Sequence, residues 1–242
     1  MKLLTPNHYP VNRDGLVCWY DYCNSGEVNS STPVTAWSDY SGNSNHGTLV
    51  EAVNAKVYSS GLFCDTIYDY LTCASAPSLN FGTGDCTISF KVKVSGNLTL
   101  DGWAHSLVKK TASYQNSTGW MTGVVASTAN SFTLSVTNTG HASWTNGSIV
   151  TPMTFETGKT YQVTVTRQGL KTKLYVDAVL CISDLTGRLS YNVDNAQPLL
   201  VSKYFGGQPS HYKTFTNAIQ LYKRCLSDGE IKLNYERNRG NL

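Results

Sequence analysis

The chain has 242 residues, of which 40% are hydrophobic and 14% are charged, a composition typical of an all-β protein with a full core. Its net charge of +3 is too small to indicate nucleic-acid binding, and we expect Lys109 and Lys110 to be solvated. No stretch approaches the ~20 apolar residues of a membrane span, and the N-terminus lacks the apolar core of about 7–15 residues of a secretory signal, so we expect synthesis in a cytoplasm without membrane insertion.

Residues 1–14 contain two prolines and no hydrophobic periodicity, so we interpret them as an N-terminal arm. Such an arm either docks on a partner or wraps the domain that follows it. No linker, internal repeat or low-complexity tract divides residues 15–242, which we assign to a single domain. Its first predicted strand covers residues 16–22, and a polar loop and several short strands follow.

Three later segments alternate hydrophobic and polar residues with the period of two that a half-buried strand shows. The buried face is predicted to hold Ile88, Phe90, Val92 and Val94, then Phe132, Leu134 and Val136, and then Tyr161, Val163 and Val165. The solvent-facing positions are predicted to include Thr87, Ser89, Lys91, Lys93, Gln162, Thr164 and Thr166. About twelve short strands separated by polar turns favour two packed antiparallel sheets.

One helix is predicted near the C-terminus. Ser227 and Glu230 have the spacing of a capping box, and Ile231 and Tyr235 share one helix face behind it. The predicted fold is therefore all-β, a two-sheet antiparallel β-sandwich with one short C-terminal helix. We assign Trp19 and Trp37 to its core.

A tight loop near the start of the domain organises the chain around it. Asp39 and Ser41 can hydrogen-bond their own backbone, Gly42 and Asn43 are predicted to supply positive-φ positions, and Gly47 leads into a strand. The full string reads Asp39-Tyr40-Ser41-Gly42-Asn43-Ser44-Asn45-His46-Gly47-Thr48.

This string resembles the loop after the first strand of laminin G-like jelly-roll domains in the concanavalin A-like lectin/glucanase superfamily. Residues 16–21 resemble the opening strand of that family, residues 173–180 its late hairpin, and residues 215–231 its closing strand and helix. The resemblance implies a jelly roll and says little of function, because one fold hosts many functions. The family hairpin usually has Asp-Gly where this chain has Asp177-Ala178, so we expect a longer turn or one of another type.

Two interpretations of the loop stay open. We favour a structural role for Asp39, Ser41, Gly42, Asn43, His46 and Gly47. The alternative is a structural calcium ion held by oxygen atoms of Asp39 and Asn43, as in related jelly rolls. Many relatives carry an aspartate where this chain has Gln220, so one negative charge that could hold calcium is missing. This departure from the family favours the structural interpretation, and we expect no cofactor.

Glucanases of this superfamily carry paired carboxylates on one strand, spaced E-x-D-x-x-E, because one acid protonates the leaving group while the other attacks or activates water. No stretch of this sequence matches that pattern, so we expect no hydrolase activity. Seven cysteines show no C-x-x-C pair and no zinc-ligand spacing, and we expect them to be reduced.

Carbohydrate recognition needs flat aromatic rings beside amides and hydroxyls that bond sugar hydroxyl groups. Residues of this kind in predicted loops are Trp103, Trp120, His141, Trp144, Asn146 and Tyr204. For each of them, the alternative is an ordinary core or loop residue. We expect a ligand to bind at these loops rather than on a sheet face, since the predicted wet faces carry no aromatic ring.

Our first hypothesis is a non-catalytic structural or decoration protein on the surface of a bacteriophage or other virus particle, with a lectin-like domain that binds host-surface or capsular glycan. Family members of this compact size that lack a secretion signal are similar to the lectin-like proteins carried on bacteriophage and other virus particles. We then expect repeated copies or a homo-oligomer, with residues 1–14 contacting other virion proteins. The alternatives are a free lectin or adhesin module of cellular origin and a divergent glycoside hydrolase.

Overall fold

The computed structural model describes residues 12–21, 36–50, 56–58, 61–64, 69–94, 104–112, 117–125, 131–137, 148–187, 191–203 and 214–238. The strands, in chain order, are β1 (Leu16–Tyr20), β2 (Ala36–Trp37), β3 (Gly47–Val50), β4 (Lys56–Tyr58), β5 (Gly61–Cys64), β6 (Tyr70–Cys73), β7 (Cys86–Val94), β8 (Ala104–Lys110), β9 (Gly119–Val125), β10 (Ser131–Thr137), β11 (Ser148–Thr154), β12 (Thr160–Gln168), β13 (Lys171–Val176), β14 (Val179–Asp184), β15 (Leu199–Val201) and β16 (Thr214–Tyr222). A 3-10 turn covers Pro77–Leu79, and helix α1 covers Asp228–Asn238.

These strands form two antiparallel sheets that pack face to face. Sheet I has the order β14-β13-β12-β7-β16-β5-β4, and β1 pairs with β16 beside it. Sheet II has the order β11-β10-β9-β8-β15-β6-β3-β2. The predicted fold class, an antiparallel β-sandwich with one C-terminal helix, is confirmed.

The main core lies between the two sheets and follows the predicted alternation. From sheet I, Ile88, Phe90 and Val92 face Val163 and Val165 across the paired strands β7 and β12. Sheet II contributes residues from β2, β3, β6, β8, β9, β11 and β15: Trp37, Leu49, Leu71, Leu107, Val108, Trp120, Ile149, Leu199 and Val201. The side chains predicted for this face on β10 lie outside the description.

At the predicted positions on β7 and β12, the opposite face of sheet I is largely buried, contrary to the prediction. Thr87, Ser89, Lys91, Gln162, Thr164 and Thr166 are all buried, and only Lys93 among the predicted set is half-buried. Buried hydroxyls satisfy one another there: Ser89 Oγ and Thr164 Oγ1 are 2.8 Å apart, and Thr87 Oγ1 donates to the Arg224 carbonyl at 2.8 Å. The alternation therefore distinguishes an apolar face from a polar face, but it does not predict whether the polar face is exposed to solvent.

Helix α1 covers part of this polar face. A second apolar cluster forms beneath it, in which Ile231 and Leu226 pack with Trp19, Tyr175 and Tyr222. At the far end of the helix, the ammonium group of Lys91 donates to the carbonyl of Asn238. Among the described residues, no helix combines the length and the apolar character needed to cross a membrane.

The two consecutive lysines of β8 are also buried, so the prediction that they are solvated is wrong. The exposed fractions of Lys109 and Lys110 are 1% and 0%. Burial lowers the pKa of Lys109 to about 6, with a smaller contribution from nearby Lys203, and burial also lowers the pKa of Lys110. The Lys110 ammonium donates to Oδ1 of Asn80, the residue that follows the 3-10 turn, at 2.8 Å.

The last residues of the predicted N-terminal arm are attached to the domain. Asn12 Nδ2 donates to Glu230 Oε1 at 3.0 Å, Arg13 donates to the Tyr40 carbonyl at 2.7 Å, and the Asp14 carbonyl accepts from Arg224 Nε at 2.7 Å. Residues 1–11 lie outside the described residues. The part of the arm that is described therefore contacts its own domain.

The turn between β13 and β14 has only two residues, contrary to the expectation of a longer or different turn. Asp177 and Ala178 have φ angles of 50° and 62°, the pattern of a type I′ turn. Asp177 is held by Gln162, whose backbone N–H donates to Asp177 Oδ1 at 2.8 Å. Because an alanine at positive φ brings its Cβ close to the following carbonyl, Ala178 is strained.

We expect Ala178→Gly to raise the free energy of unfolding by about 0.5–1 kcal/mol. Relief of about 1–2 kcal/mol of strain is offset in part by the greater freedom of glycine in the unfolded chain and by the lost methyl contact with the second cluster. Asp177→Gly is the matched control, because the same relief there comes with loss of the bond from Gln162. Urea denaturation of both variants measures the difference, and a less stable Ala178→Gly would contradict the strain argument.

Candidate functional site

A polar groove opens on the outer face of sheet I, where the chain leaves β16 and begins α1. We call it the β13–α1 groove. Its volume is about 240 Å³, and its lining residues are Thr166, Gln168, Lys171, Lys173, Tyr175, Cys225, Leu226, Ser227, Asp228 and Glu230. The volume lies just below the ~300–1,000 Å³ typical of small-molecule pockets, so the groove suits one small ring rather than a long chain.

The floor of the groove is a block of cross-strand pairs. On β12 and β13, Thr166 lies opposite Lys173 and Gln168 lies opposite Lys171. Alternate residues of a strand share one face, so these four side chains and Tyr175 point to the same side of sheet I. The strands are joined at Gly169 and Leu170, and Gly169 has the positive φ of 55° that this tight connection requires.

The wall of the groove is the first turn of α1, and the predicted capping box builds it. Ser227 N–H donates to Glu230 Oε2 at 2.9 Å, and Glu230 N–H donates back to Ser227 Oγ at 3.3 Å. Arg224 donates to both carboxylate oxygens of Glu230, at 3.1 and 2.8 Å. The Arg224 guanidinium in particular lowers the pKa of Glu230 to about 2, so this carboxylate stays ionised and serves to hold the wall.

Three groups meet across the groove at Asp228. Its Oδ1 atom accepts a hydrogen bond from the Tyr175 hydroxyl at 2.7 Å and one from the Lys173 ammonium at 3.2 Å. These bonds lower the pKa of Asp228, with Tyr175 the larger cause, and bonds to Tyr175 and then Asp228 raise the pKa of Lys173. Burial, followed by the bond to Asp228, raises the pKa of Tyr175 to about 12. At neutral pH the cluster therefore holds one anion, one cation and one neutral phenol.

This arrangement suits binding better than hydrolysis. A glycosidase acid must hold its proton near neutral pH, which requires a raised carboxylate pKa. Asp228 and Glu230 both have lowered pKa values, and burial raises the pKa of the Cys225 thiol, so that thiol is not activated as a nucleophile. The groove offers fixed hydrogen-bond donors and acceptors instead.

The loop at residues 39–48 is not part of the groove lining. Its polar groups form hydrogen bonds within the loop and with β1. Asp39 Oδ1 accepts from the backbone N–H groups of Trp19 and Ser41 at 2.8 and 2.9 Å. Asp39 Oδ2 accepts from Ser41 Oγ and from the Asn45 N–H at 2.8 and 2.9 Å. The Asp39 N–H in turn donates to His46 Nδ1 at 3.1 Å. The buried carboxylate thus joins this loop to β1.

The backbone of the loop differs from the prediction in one position. Gly42 has a φ of 95° as expected, but the second positive φ, 57°, belongs to Ser44 and not to Asn43. Gly47 is required for another reason: a Cβ there would lie 2.6 Å from Leu71 Cδ2. Close packing against the core thus selects glycine at this position.

The contacts of the loop favour the structural interpretation over the calcium alternative. Asn43 directs its amide nitrogen to the Leu16 carbonyl at 3.1 Å, and each carboxylate oxygen of Asp39 already accepts two hydrogen bonds. Calcium takes six to eight oxygen ligands. Within the described part of the chain, no three His, Cys, Asp or Glu side chains cluster as a metal site would need.

The sequence matches the concanavalin A-like lectin/glucanases superfamily over residues 65–232, which is more than half of the chain. The chain belongs to this superfamily. The predicted family is thereby confirmed, and no curated protein matches the sequence.

Solved structures with the same fold include several binding domains. The binding domain of Paraclostridial mosquitocidal protein 1 is 19% identical with a TM-score of 0.70, and the match covers 92% of this chain and 52% of that one. The ligand-binding domain of botulinum neurotoxin serotype D in complex with N-acetylneuraminic acid is 14% identical with a TM-score of 0.66, covering 93% and 51%. Trypanosoma rangeli sialidase in complex with sialic acid is 17% identical with a TM-score of 0.63, covering 93% and 33%.

These likenesses show the fold alone. The concanavalin A-like domain spans about half the length of the binding domains that it matches. The substrates and partners of those proteins therefore do not transfer to it by similarity.

Of the aromatic and polar residues predicted to bind ligand in this concanavalin A-like domain, one is described, and it is buried. Trp120 lies on β9, is 2% exposed and stacks on Phe81 with ring centroids 5.8 Å apart. Its ring is part of the core and is closed to a sugar, which corrects that assignment. Five predicted residues lie outside the described residues: Trp103, His141, Trp144, Asn146 and Tyr204.

Sequence reasoning did not single out Lys173, Tyr175 and Asp228, although it located both elements that carry them. Lys173 and Tyr175 alternate on the predicted hairpin, and Asp228 follows the predicted N-cap residue Ser227. The missing information was that α1 folds back over β13, a contact between segments 53 residues apart. The signal that the sequence did contain was a lysine and a tyrosine two positions apart on one predicted strand, which places both side chains on the same face.

Proposed function

We propose that this concanavalin A-like domain is a non-catalytic carbohydrate-binding module that attaches its carrier to a glycan at a cell surface. The sugar is held in the β13–α1 groove. The observation that carries this proposal is the cluster of Asp228, Lys173 and Tyr175 at the mouth of a groove sized for one ring. A lectin needs such fixed donors and acceptors and no proton-donating acid.

The fold supports the same conclusion. Proteins with this fold have been solved with N-acetylneuraminic acid and with sialic acid. Binding domains of two different toxins are also among them. These structures support glycan binding as a property that the fold can carry, and the groove supplies the groups for it here.

A finer proposal is that the domain is repeated on the surface of a virus particle or on a homo-oligomer. A single contact with one ring in a small groove gives an affinity of about millimolar, and repetition of the domain raises it by avidity. Any arm that binds a neighbouring virion protein would come from residues 1–11, because residues 12–14 are engaged with this domain. A cellular lectin is the alternative, and immunodetection on purified particles distinguishes the two.

We expect glycan binding to depend on the groove. Binding of the multimerised domain to a glycan array, followed by NMR titration of each hit, measures it. Gln168→Ala and Lys171→Ala should weaken affinity at least about fivefold, because each removes one side chain that lines the groove. Lys159→Ala is the control, since that lysine is exposed and lies outside the groove lining.

Three outcomes would contradict the proposal in different ways. Failure to bind any glycan would overturn the function. Binding that survives both groove variants but is lost in Trp144→Ala would return the site to the loops predicted from sequence. Release of reducing ends from a bound oligosaccharide, abolished by changing one Asp or Glu, would favour the divergent glycosidase.

A further inference from the structure

The charges inside the β13–α1 groove are balanced. Lys171 and Lys173 line it with Asp228 and Glu230, so two cations stand with two anions. Glu230 is bound by Arg224 from outside the groove, and Lys173 is bound to Asp228 within it. Lys171 is exposed, whereas the positive charge of Lys173 is paired with the Asp228 carboxylate. A ligand carboxylate placed near Lys173 would also face the Asp228 carboxylate and be repelled by it.

Hydrogen-bonding capacity is left over at this cluster. Tyr175 and Lys173 both donate to Oδ1 of Asp228, and within the described residues Oδ2 accepts no hydrogen bond. An ammonium group has three N–H donors, and Lys173 bonds Asp228 and Tyr175, which leaves one donor for a ligand. A strong acceptor and a strong donor therefore stand side by side, with 3.2 Å between Lys173 Nζ and Asp228 Oδ1.

Adjacent hydroxyl groups of a sugar match this pair. Each hydroxyl both donates and accepts, so one can donate to Asp228 Oδ2 while its neighbour accepts from Lys173. We infer that the β13–α1 groove selects neutral sugars through a vicinal diol bound across the Lys173–Asp228 pair, in preference to acidic sugars. This inference rests on the proposed glycan-binding function.

Tyr175 acts as a positioning residue for the pair. Its ring is buried, 2% exposed, and packs with Ile231 and Leu226 in the second cluster, so its hydroxyl has little freedom. From that fixed position it donates to Asp228 and places the carboxylate next to Lys173. Tyr175→Phe keeps the packing of the ring and removes the bonds of the hydroxyl to Asp228 and Lys173, while both charges of the pair remain.

The test compares two probe classes on the full chain by NMR titration or calorimetry: methyl glycosides of neutral hexoses, and N-acetylneuraminic acid. We expect neutral glycosides to bind at least about tenfold more tightly, and deoxy analogues that lack one hydroxyl of the bound diol to lose about tenfold. Asp228→Asn should weaken the neutral sugar about tenfold and improve the acidic one. Lys173→Gln should weaken the neutral sugar, and Tyr175→Phe should weaken it less than either.

The possible results separate this inference from the function on which it rests. Tighter binding of N-acetylneuraminic acid that depends on Lys173 would overturn the selectivity and leave glycan binding intact. Neutral-sugar binding unchanged in Asp228→Asn and Lys173→Gln, both with native melting temperature, would overturn the role of the pair. If neither probe class nor any array glycan binds, both the inference and the proposed function are wrong.

Discussion

Asp39→Ala is expected to lower the free energy of unfolding by about 3–5 kcal/mol. The buried Asp39 carboxylate accepts backbone N–H groups from Trp19, Ser41 and Asn45, and alanine leaves these donors without an acceptor. Each orphaned buried donor costs about 1–3 kcal/mol, reduced where water can enter. Urea denaturation at neutral pH measures the change.

Glu156→Ala is the control for this variant, because that carboxylate side chain is 76% exposed and should change stability by less than about 0.5 kcal/mol. An Asp39→Ala protein as stable as the wild type would contradict the structural role of the loop. A chelator provides a second readout. If the wild-type melting temperature falls when EDTA is added, the calcium alternative would be correct.

Lys110→Met is expected to destabilise the domain by about 2–4 kcal/mol. The ammonium group is fully buried and donates to Asn80 Oδ1 at 2.8 Å and to Asn195 Oδ1 at 3.3 Å, as well as to the Asn195 carbonyl. Methionine keeps the packing of the stem and removes these bonds. Among the described residues, Asn80 Oδ1 then has no donor, whereas Asn195 Oδ1 keeps the Gln197 N–H and the Asn195 carbonyl keeps the Ser75 hydroxyl. Burial of the charged ammonium group costs free energy and lowers the pKa of Lys110. Part of the hydrogen-bond energy offsets that cost, so the loss of stability in Lys110→Met is limited.

Lys232→Met is the matched control, because its side chain is 71% exposed. Thermal unfolding of both variants should separate them clearly. Since the pKa of Lys110 is lower in the folded state than in the unfolded state, the unfolded chain binds the extra proton between these two values. This group therefore makes stability rise with pH across that interval, and Lys110→Met should remove that contribution. A variant at least as stable as the wild type would contradict the argument.

The sequence predicted those features of the fold that depend on local pattern. The alternation of Ile88, Phe90 and Val92 identified the core face of β7, and the spacing of Ser227 and Glu230 identified the start of α1. Both signals arise from the geometry of one element, with a period of two in a strand and an unsatisfied first turn in a helix. Such signals are complete within a few residues.

Features that depend on contacts between distant segments were predicted incorrectly or missed. The polar residues of β7 and β12 looked solvent-facing, yet Ser89 and Thr164 are buried and hydrogen-bond each other. Trp120, beside polar neighbours in the sequence, looked like a loop residue and stacks on Phe81 instead. The groove itself needs β13 and α1 together. A pattern gives the two faces of a strand, whereas what packs on each face is decided by the whole chain.

The attachments of residues 12–15 have a consequence for how the domain can be carried. Asn12 binds Glu230, the Asp14 carbonyl binds Arg224, and the Lys223 N–H donates to the Gly15 carbonyl, so the first and last described segments run side by side. The described chain therefore begins beside the first turn of α1, whereas it ends at Asn238, at the opposite end of that helix. Because Glu230 also lines the β13–α1 groove, Asn12 lies beside that groove. Under the proposed function, a partner attached on the N-terminal side of Asn12 would thus stand close to the bound glycan.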